Sequence, residues 1–251
     1  MSYELPRGYL SASQINKYLS CPRQYEKDYI LNLKPETKRP VSMSVGSSVH
    51  KMVEVTLEAN IKGLEYNFGQ VEVASNIELL LKDSDFEEET LEYWYTYSQI
   101  LYKTWYKELG QSIMPIATEQ KFESFVGDVP VLGYIDYLDI SSGQTEICDL
   151  KVVKRAKSET DCKNSVQLAM YAITQNNPCV RFDSVVKNKK PKVGVSRHVF
   201  SKGELNYFTD LIGEVATNIS AGNFPMTSPT SWMCNPKWCD FYNQCRGANN
   251  G

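Results

Sequence analysis

The sequence predicts an α/β fold in which helices flank one central mixed β-sheet. Three observations carry that prediction. Apolar residues recur at helical spacing through most of the first 110 residues. From residue 115 the pattern changes to the alternation of strands, with a turn signal at Gly127-Asp128. After a third strand, helix, paired strands and helix follow one another, an order that favours one α/β domain over separate helical and all-β domains.

Ser11 is placed to cap a helix over 11–30, which breaks at Pro22 and resumes with Tyr25 and Tyr29. Residues 31–44 read as loop. From Gly46 to Lys62 a second helix turns Val49, Met52, Val53 and Leu57 inward. Segments 72–82 and 87–109 are further helices, the latter rich in Tyr and Trp. Residues 115–126 and 130–140 form a hairpin, and 145–153 a third strand. A helix over 160–176 follows. Strands 181–188 and 193–199 then enclose a lysine-rich turn. A helix over 201–221 buries Phe208, Leu211, Ile212 and Val215, and the tail from Asn223 is rich in Pro, Cys and Trp. Residues 1–251 are thus expected to be a single domain: a mainly helical part (1–110), a sheet core (111–200), and a helix with a cysteine-rich tail (201–251).

No apolar run is long enough to cross a bilayer, and the first residues lack a signal-peptide core. A cytoplasmic protein without a membrane partner is expected. The net charge is −3, unevenly spread. Residues 151–192 hold ten Lys or Arg and three acids, a net +7, while an acidic run occupies Asp83–Glu89. A nucleic-acid backbone would follow the basic stretch, with Lys154, Arg155 and Lys157 nearest its start. The Lys187–Lys192 turn reads in part as a solvated loop.

The chemistry concentrates in Gly133-Tyr-Ile-Asp136 and Glu146-Ile-Cys-Asp149-Leu-Lys151. Alternate strand residues share a face, so Asp149 and Lys151 leave the backbone on one side, roughly 6–7 Å apart. Cys148 lies on the other side. With Asp136 on the neighbouring strand, the acids suit a hard divalent cation, and the lysine suits a water and a phosphate. His50, early in the second helix, is a candidate further ligand; nitrogen among oxygens tilts preference toward Mn²⁺ over Mg²⁺. Glu119 is placed to line the same site. Gln167 and Tyr171, four apart on one helical face, are candidates to support the lysine or touch DNA. Asp139 and Glu146 read as solvent-facing strand residues, and His198 as structural.

Seven cysteines in a chain with no secretion signal argue against disulfides. Cys148, Cys162 and Cys179 read as small apolar residues. Cys234, Cys239 and Cys245 cluster near one end and Cys21 near the other. Four thiolates can hold Zn²⁺ or a [4Fe–4S] cluster, and spacing does not separate the two.

The order His50, Asp136, Asp149-x-Lys151, Gln167-x3-Tyr171 resembles the RecB-type, AddB-like nuclease domain of the PD-(D/E)XK superfamily. The opening Ser11–Tyr25 segment, with Cys21 before Pro22, is similar too, and the resemblance runs from about residue 9 to 246. It implies a restriction-endonuclease-like core with Asp136, Asp149, His50 and the Leu150 carbonyl as Mg²⁺ or Mn²⁺ ligands. Lys151 would act on the attacking water, with Gln167 and Tyr171 in the motif behind it. Cys21, Cys234, Cys239 and Cys245 would bind an iron–sulfur cluster, although the four residues between Cys234 and Cys239 depart from the usual two. The implied activity is a metal-dependent DNA exonuclease, most like stand-alone phage-type enzymes. A CRISPR-type end-processing nuclease and a non-catalytic, cluster-stabilised DNA-binding subunit are the alternatives. Beyond DNA, the partner classes to consider are a recombination or single-strand annealing protein and further copies of the chain.

Overall fold

The computed structural model describes residues 3–35, 41–65, 67, 69, 71 and 88–246. The helix expected over 72–82, and most of the acidic run before residue 88, lie outside them. The chain divides into two compact units: Met1–Lys38 with Glu123–Gly133 and Lys202–Gly251, and Arg39–Phe122 with Tyr134–Ser201.

A five-stranded sheet runs in sequence order: β1 (Pro115–Val126), β2 (Val129–Asp139), β3 (Glu146–Val153), β4 (Cys179–Val186) and β5 (Lys192–Val199). Gly127, with φ +57°, makes the turn between β1 and β2, a backbone setting that glycine adopts at little cost. β2 and β3 pair antiparallel, β3 and β4 parallel, β4 and β5 antiparallel. The sheet is therefore mixed, as expected.

The first unit begins with α1 (Ala12–Ser20), whose N-cap Ser11 accepts from Gln14 N–H. Cys21 is extended and ends this helix, α2 (Pro22–Tyr25) starts on Pro22, and a π-turn (Glu26–Ile30) follows. The helix expected over 11–30 is thus three pieces, and the break presents Cys21. Tyr18 donates its hydroxyl to Asn223 O at 2.7 Å, and Tyr18, Tyr25 and Phe224 pack ring against ring. The long helix Lys202–Ser220 buries Phe208, Ile212, Val215, Ala216 and Ile219, while Leu211 is half-buried. The tail contains one short helix, Tyr242–Arg246, beside a buried Phe241.

In the second unit, α3 (Val41–Ile61) begins inside the stretch read as loop. It packs on α4 (Glu88–Glu108). Val49, Met52, Val53 and Leu57 join Leu101, Tyr102 and Trp105 in a core that also takes Tyr137, Cys148, Leu150 and Val185 from the sheet. Cys148 and Leu150 thus fill the core on the face away from Asp149. The helix expected over 160–176 is two: α5 (Glu159–Lys163) and α6 (Val166–Gln175). Asn164 closes one, and the hydroxyl of Ser165 caps the other by accepting from Leu168 N–H, because a serine hydroxyl competes for backbone groups at a helix start. This parallel crossover lays α6 against β3 and β4.

Asp139 and Glu146 are structural but not solvent-facing: both are buried on Arg181, itself 1 % exposed. Arg181 donates at 2.7 Å to Asp139 Oδ2 and to Glu146 Oε2, and at 2.9 Å to Asp183 Oδ2. Arg197 adds a 2.6 Å bond to Glu146, and the Tyr137 hydroxyl donates to Asp183. Arg181 therefore drops out of the basic surface counted from the sequence. A guanidinium meeting three carboxylates from three strands, with Arg197 sharing one of them, needs no solvent, and the cluster fixes strand register instead.

Candidate active site

Asp136 and Asp149 meet because of strand register. Tyr137 pairs with Cys148, Leu138 with Ile147 and Asp139 with Glu146, and one further step sets Asp136 opposite Asp149. There the side chain replaces the ladder: Leu150 N–H donates to Asp136 Oδ2 at 2.6 Å. Asp149 is 1 % exposed, and neither carboxylate oxygen accepts a directed hydrogen bond. Lys151 Nζ comes to 2.6 Å of Asp149 Oδ2 as an ion pair. Burial, then the charge of Asp149, pushes the Asp136 carboxyl well above the usual range, against Lys151 and the Leu150 N–H.

His50 comes from α3, its Nδ1 3.6 Å from Asp136 Oδ2. Burial lowers its pKa, Lys151 adds to that, and Asp149 and a hydrogen bond with the Leu150 backbone oppose it. The net direction favours the neutral imidazole, the form that ligates metals. Two adjacent carboxylates, Asp149 buried and Asp136 half-buried, therefore face a neutral imidazole and the Leu150 backbone. Two carboxylates set side by side repel each other and one lysine offsets only part of that charge, so this set fits a hard divalent cation. Among the described residues, no three His, Cys, Asp or Glu side chains already close on one point, and the Lys151 ammonium lies where Asp149 would meet that cation.

Lys151 is braced from behind. Its Nζ donates to Gln167 Oε1 at 3.0 Å, Gln167 Nε2 donates to the Tyr171 hydroxyl at 2.7 Å, and that hydroxyl donates to Tyr134 O at 2.6 Å. The four-residue spacing on α6 is what lets one side chain hand on to the next. Tyr171 also packs edge-on against Phe122. Glu119 stands at the edge of this group. Its φ of +44° is left-handed, and this kink breaks the strand's burial alternation. Its carboxyl is raised by partial burial, then by Glu54, against Lys51.

Three participants were not singled out in the sequence. Glu54 lies four residues after His50, so on its side of the helix, a spacing legible in advance. Phe182, across from Asp149 in the parallel pair, lies under both Lys151 and Lys157, whose ammoniums are 5.6 and 5.9 Å from its centroid. Arg181 was hidden among surface lysines. Of the expected DNA-contacting residues, Lys154 and Arg155 are exposed, Arg155 lying 3.4 Å from Asp161. Lys157 is half-buried, with its N–H donating to Ser184 Oγ at 3.0 Å. His198 is set edge-on to Phe200 at 4.8 Å.

In the other unit, Cys21, Cys234, Cys239 and Cys245 line one cavity, with Arg23, Lys27 and Arg246 also on its wall. Burial raises the Cys239 thiol, and the sulfurs of Cys21, Cys245 and Cys234 raise it further, against a hydrogen bond with the Phe241 backbone. Four cysteines and three cationic side chains thus share one cavity wall.

The model of the PD-(D/E)XK nuclease superfamily matches residues 9–246. The chain belongs to that superfamily. No protein of curated function matches the sequence. Among solved structures, a candidate exonuclease from Eubacterium rectale superposes with a TM-score of 0.59 at 12 % identity, over 90 % of this chain and 86 % of that one. At that identity the likeness supports the fold of this PD-(D/E)XK protein and nothing further. SSO0001 aligns over 94 % of this chain and 95 % of its own at 13 % identity, with a TM-score of only 0.37. Among the described residues, no helix of this PD-(D/E)XK protein is long and apolar enough to cross a membrane.

Proposed function

We propose that this PD-(D/E)XK nuclease is a metal-dependent deoxyribonuclease acting from DNA ends, of the RecB-type, AddB-like branch. The observation that carries the reading is the buried Asp149 carboxylate set beside Asp136 and paired with Lys151, whose ammonium is held by the Gln167–Tyr171 chain. Asp136, Asp149, His50 and the Leu150 carbonyl would hold Mg²⁺ or Mn²⁺, which supplies Lewis-acid polarisation of the phosphate and a more acidic water. Lys151 would orient that water and offset charge on the phosphate, its ammonium held in place by Gln167 Oε1. Tyr171 fixes Gln167 by accepting from Nε2, which leaves Oε1 turned to the lysine. Glu119 would take a supporting place at the rim.

The four cysteines would carry a [4Fe–4S] cluster as a staple. What supports this reading is that the four cysteines line one cavity with Arg23, Lys27 and Arg246, cations that suit an anionic centre.

End-labelled single-stranded and duplex DNA incubated with Mg²⁺, Mn²⁺ or chelator tests the activity. Cleavage should need the metal and proceed from an end. Asp149→Asn and Lys151→Ala should each lower it at least 100-fold. Cleavage by Asp149→Asn at the unaltered rate would refute the site.

A further inference from the structure

A second feature of the catalytic unit is an aromatic group on α4 beside a lysine-rich turn. Tyr93 is 60 % exposed. Its ring lies parallel to that of Tyr97, 7° apart in plane with centroids 6.0 Å apart, and edge-on to Trp94 at 5.0 Å. The Tyr97 hydroxyl donates to Asn188 O at 3.2 Å, which ties the rings to the turn between β4 and β5. That turn, residues 187–192, carries four lysines and no acid. It is anchored to the end of the catalytic strand, since Lys187 N–H donates to Val153 O at 2.8 Å. Lys187 is also held below its ordinary pKa by burial and by neighbouring Lys154. Lys154 is three residues beyond Lys151 on the same run of chain.

Exposed aromatic faces and lysines that crowd one another are the two halves of a single-strand site: bases stack on rings, and phosphates satisfy the cations. A duplex offers its phosphates but keeps its bases stacked on one another. We infer that Tyr93, with Trp94 and Tyr97 beneath it and the 187–192 turn beside it, is a docking platform for an unpaired DNA strand entering or leaving the catalytic site. This rests on the nuclease reading above and specifies its substrate: at least one strand is single-stranded where it lies on the catalytic unit. The lysine turn then has a role besides solubility, and a protein partner for this face becomes the competing outcome.

The test measures fluorescence anisotropy of a labelled oligothymidine of about 20 nucleotides, and of a blunt duplex of equal length, in chelator so that no cleavage intervenes. Tyr93→Ala should weaken single-strand binding about 5- to 100-fold, the usual loss for one stacking ring, and leave duplex binding within about twofold. Tyr93→Phe, which keeps the ring, should bind as wild type. Lys189→Ala with Lys190→Ala should flatten the logarithmic salt dependence for single strands by about 1.4, or 0.7 per phosphate contact. Unaltered single-strand binding by Tyr93→Ala, or equal loss for both DNAs, would overturn the platform. Because Tyr93 is exposed, the variants should fold, and an unchanged melting temperature checks this. Failure of the parent reading looks different: wild-type protein would bind the oligothymidine through Tyr93 yet cut no DNA with Mg²⁺ or Mn²⁺.

Discussion

Asp136 shows what the site costs the protein at the scale of one residue. Its carboxyl is raised by burial first and by Asp149 second. A raised folded-state pKa means that the contribution to stability is fully present below the unfolded value, about 3.9, and is lost as pH rises through the folded one. Metal-free Asp136→Asn should therefore be more stable than wild type at pH 7, with the gap closing toward pH 4. Denaturant midpoints across that range check it, and a gap that widens on acidification would contradict the sign. Saturating Mn²⁺ should stabilise wild type and not the variant, since the ligand binds only the folded form. Glu119 stores a different cost. A left-handed backbone is unfavourable for glutamate and tolerated by asparagine, so Glu119→Asn should stabilise the fold by about 1 kcal/mol. A loss of stability would mean that the carboxylate's contacts outweigh the backbone.

The elements are held in register by the Arg181 cluster, on the strand pair that carries the site. β2 supplies Asp139, β3 Glu146, β4 Arg181 and Asp183, and β5 Arg197. A one-residue slip would turn Asp149 and Lys151 into the core and expose Cys148 and Leu150. Arg181→Met leaves buried Asp139 and Asp183 without a cation, Glu146 keeping Arg197, and should cost about 3–5 kcal/mol, read from urea denaturation. Burial raises the Asp139 carboxyl, but bonds from the Ser141 N–H and hydroxyl, Arg181 and the Met114 N–H outweigh it and hold the pKa below its ordinary value. A depressed pKa contributes stability above the unfolded value and loses it as pH falls. Acid unfolding should thus draw on Asp139 below about pH 4 in wild type, and much less in Arg181→Met. On α6, removing the Ser165 cap should cost about 1 kcal/mol and lower cleavage, because that cap starts the helix two residues before Gln167.

At the scale of the molecule, the cysteine cavity gathers sequence-distant parts of one unit, Cys21 from its first segment and three cysteines from its last. Purified anaerobically, the protein should be brown with broad absorbance near roughly 400 nm, and Cys239→Ser should lose the colour and fold less stably. A colourless, zinc-loaded wild type of equal stability would exclude the iron–sulfur centre.

The sequence by itself determined the strands, the hairpin turn, the face on which Asp149 and Lys151 sit, and the core role of Val49, Met52, Val53 and Leu57, because these follow from local periodicity and turn chemistry. It also held the order of the site residues, from which the superfamily could be expected. It could not show the break at Ser165, where a single hydroxyl outcompetes helical continuity, nor the left-handed turn at Glu119. The tertiary structure alone decided that Asp139 and Glu146 are buried, that Arg181 is no surface cation, and that Tyr93 stands beside the lysine turn. The physical reason is that an ion's role depends on which distant charges share its dielectric, and periodicity carries no information about that.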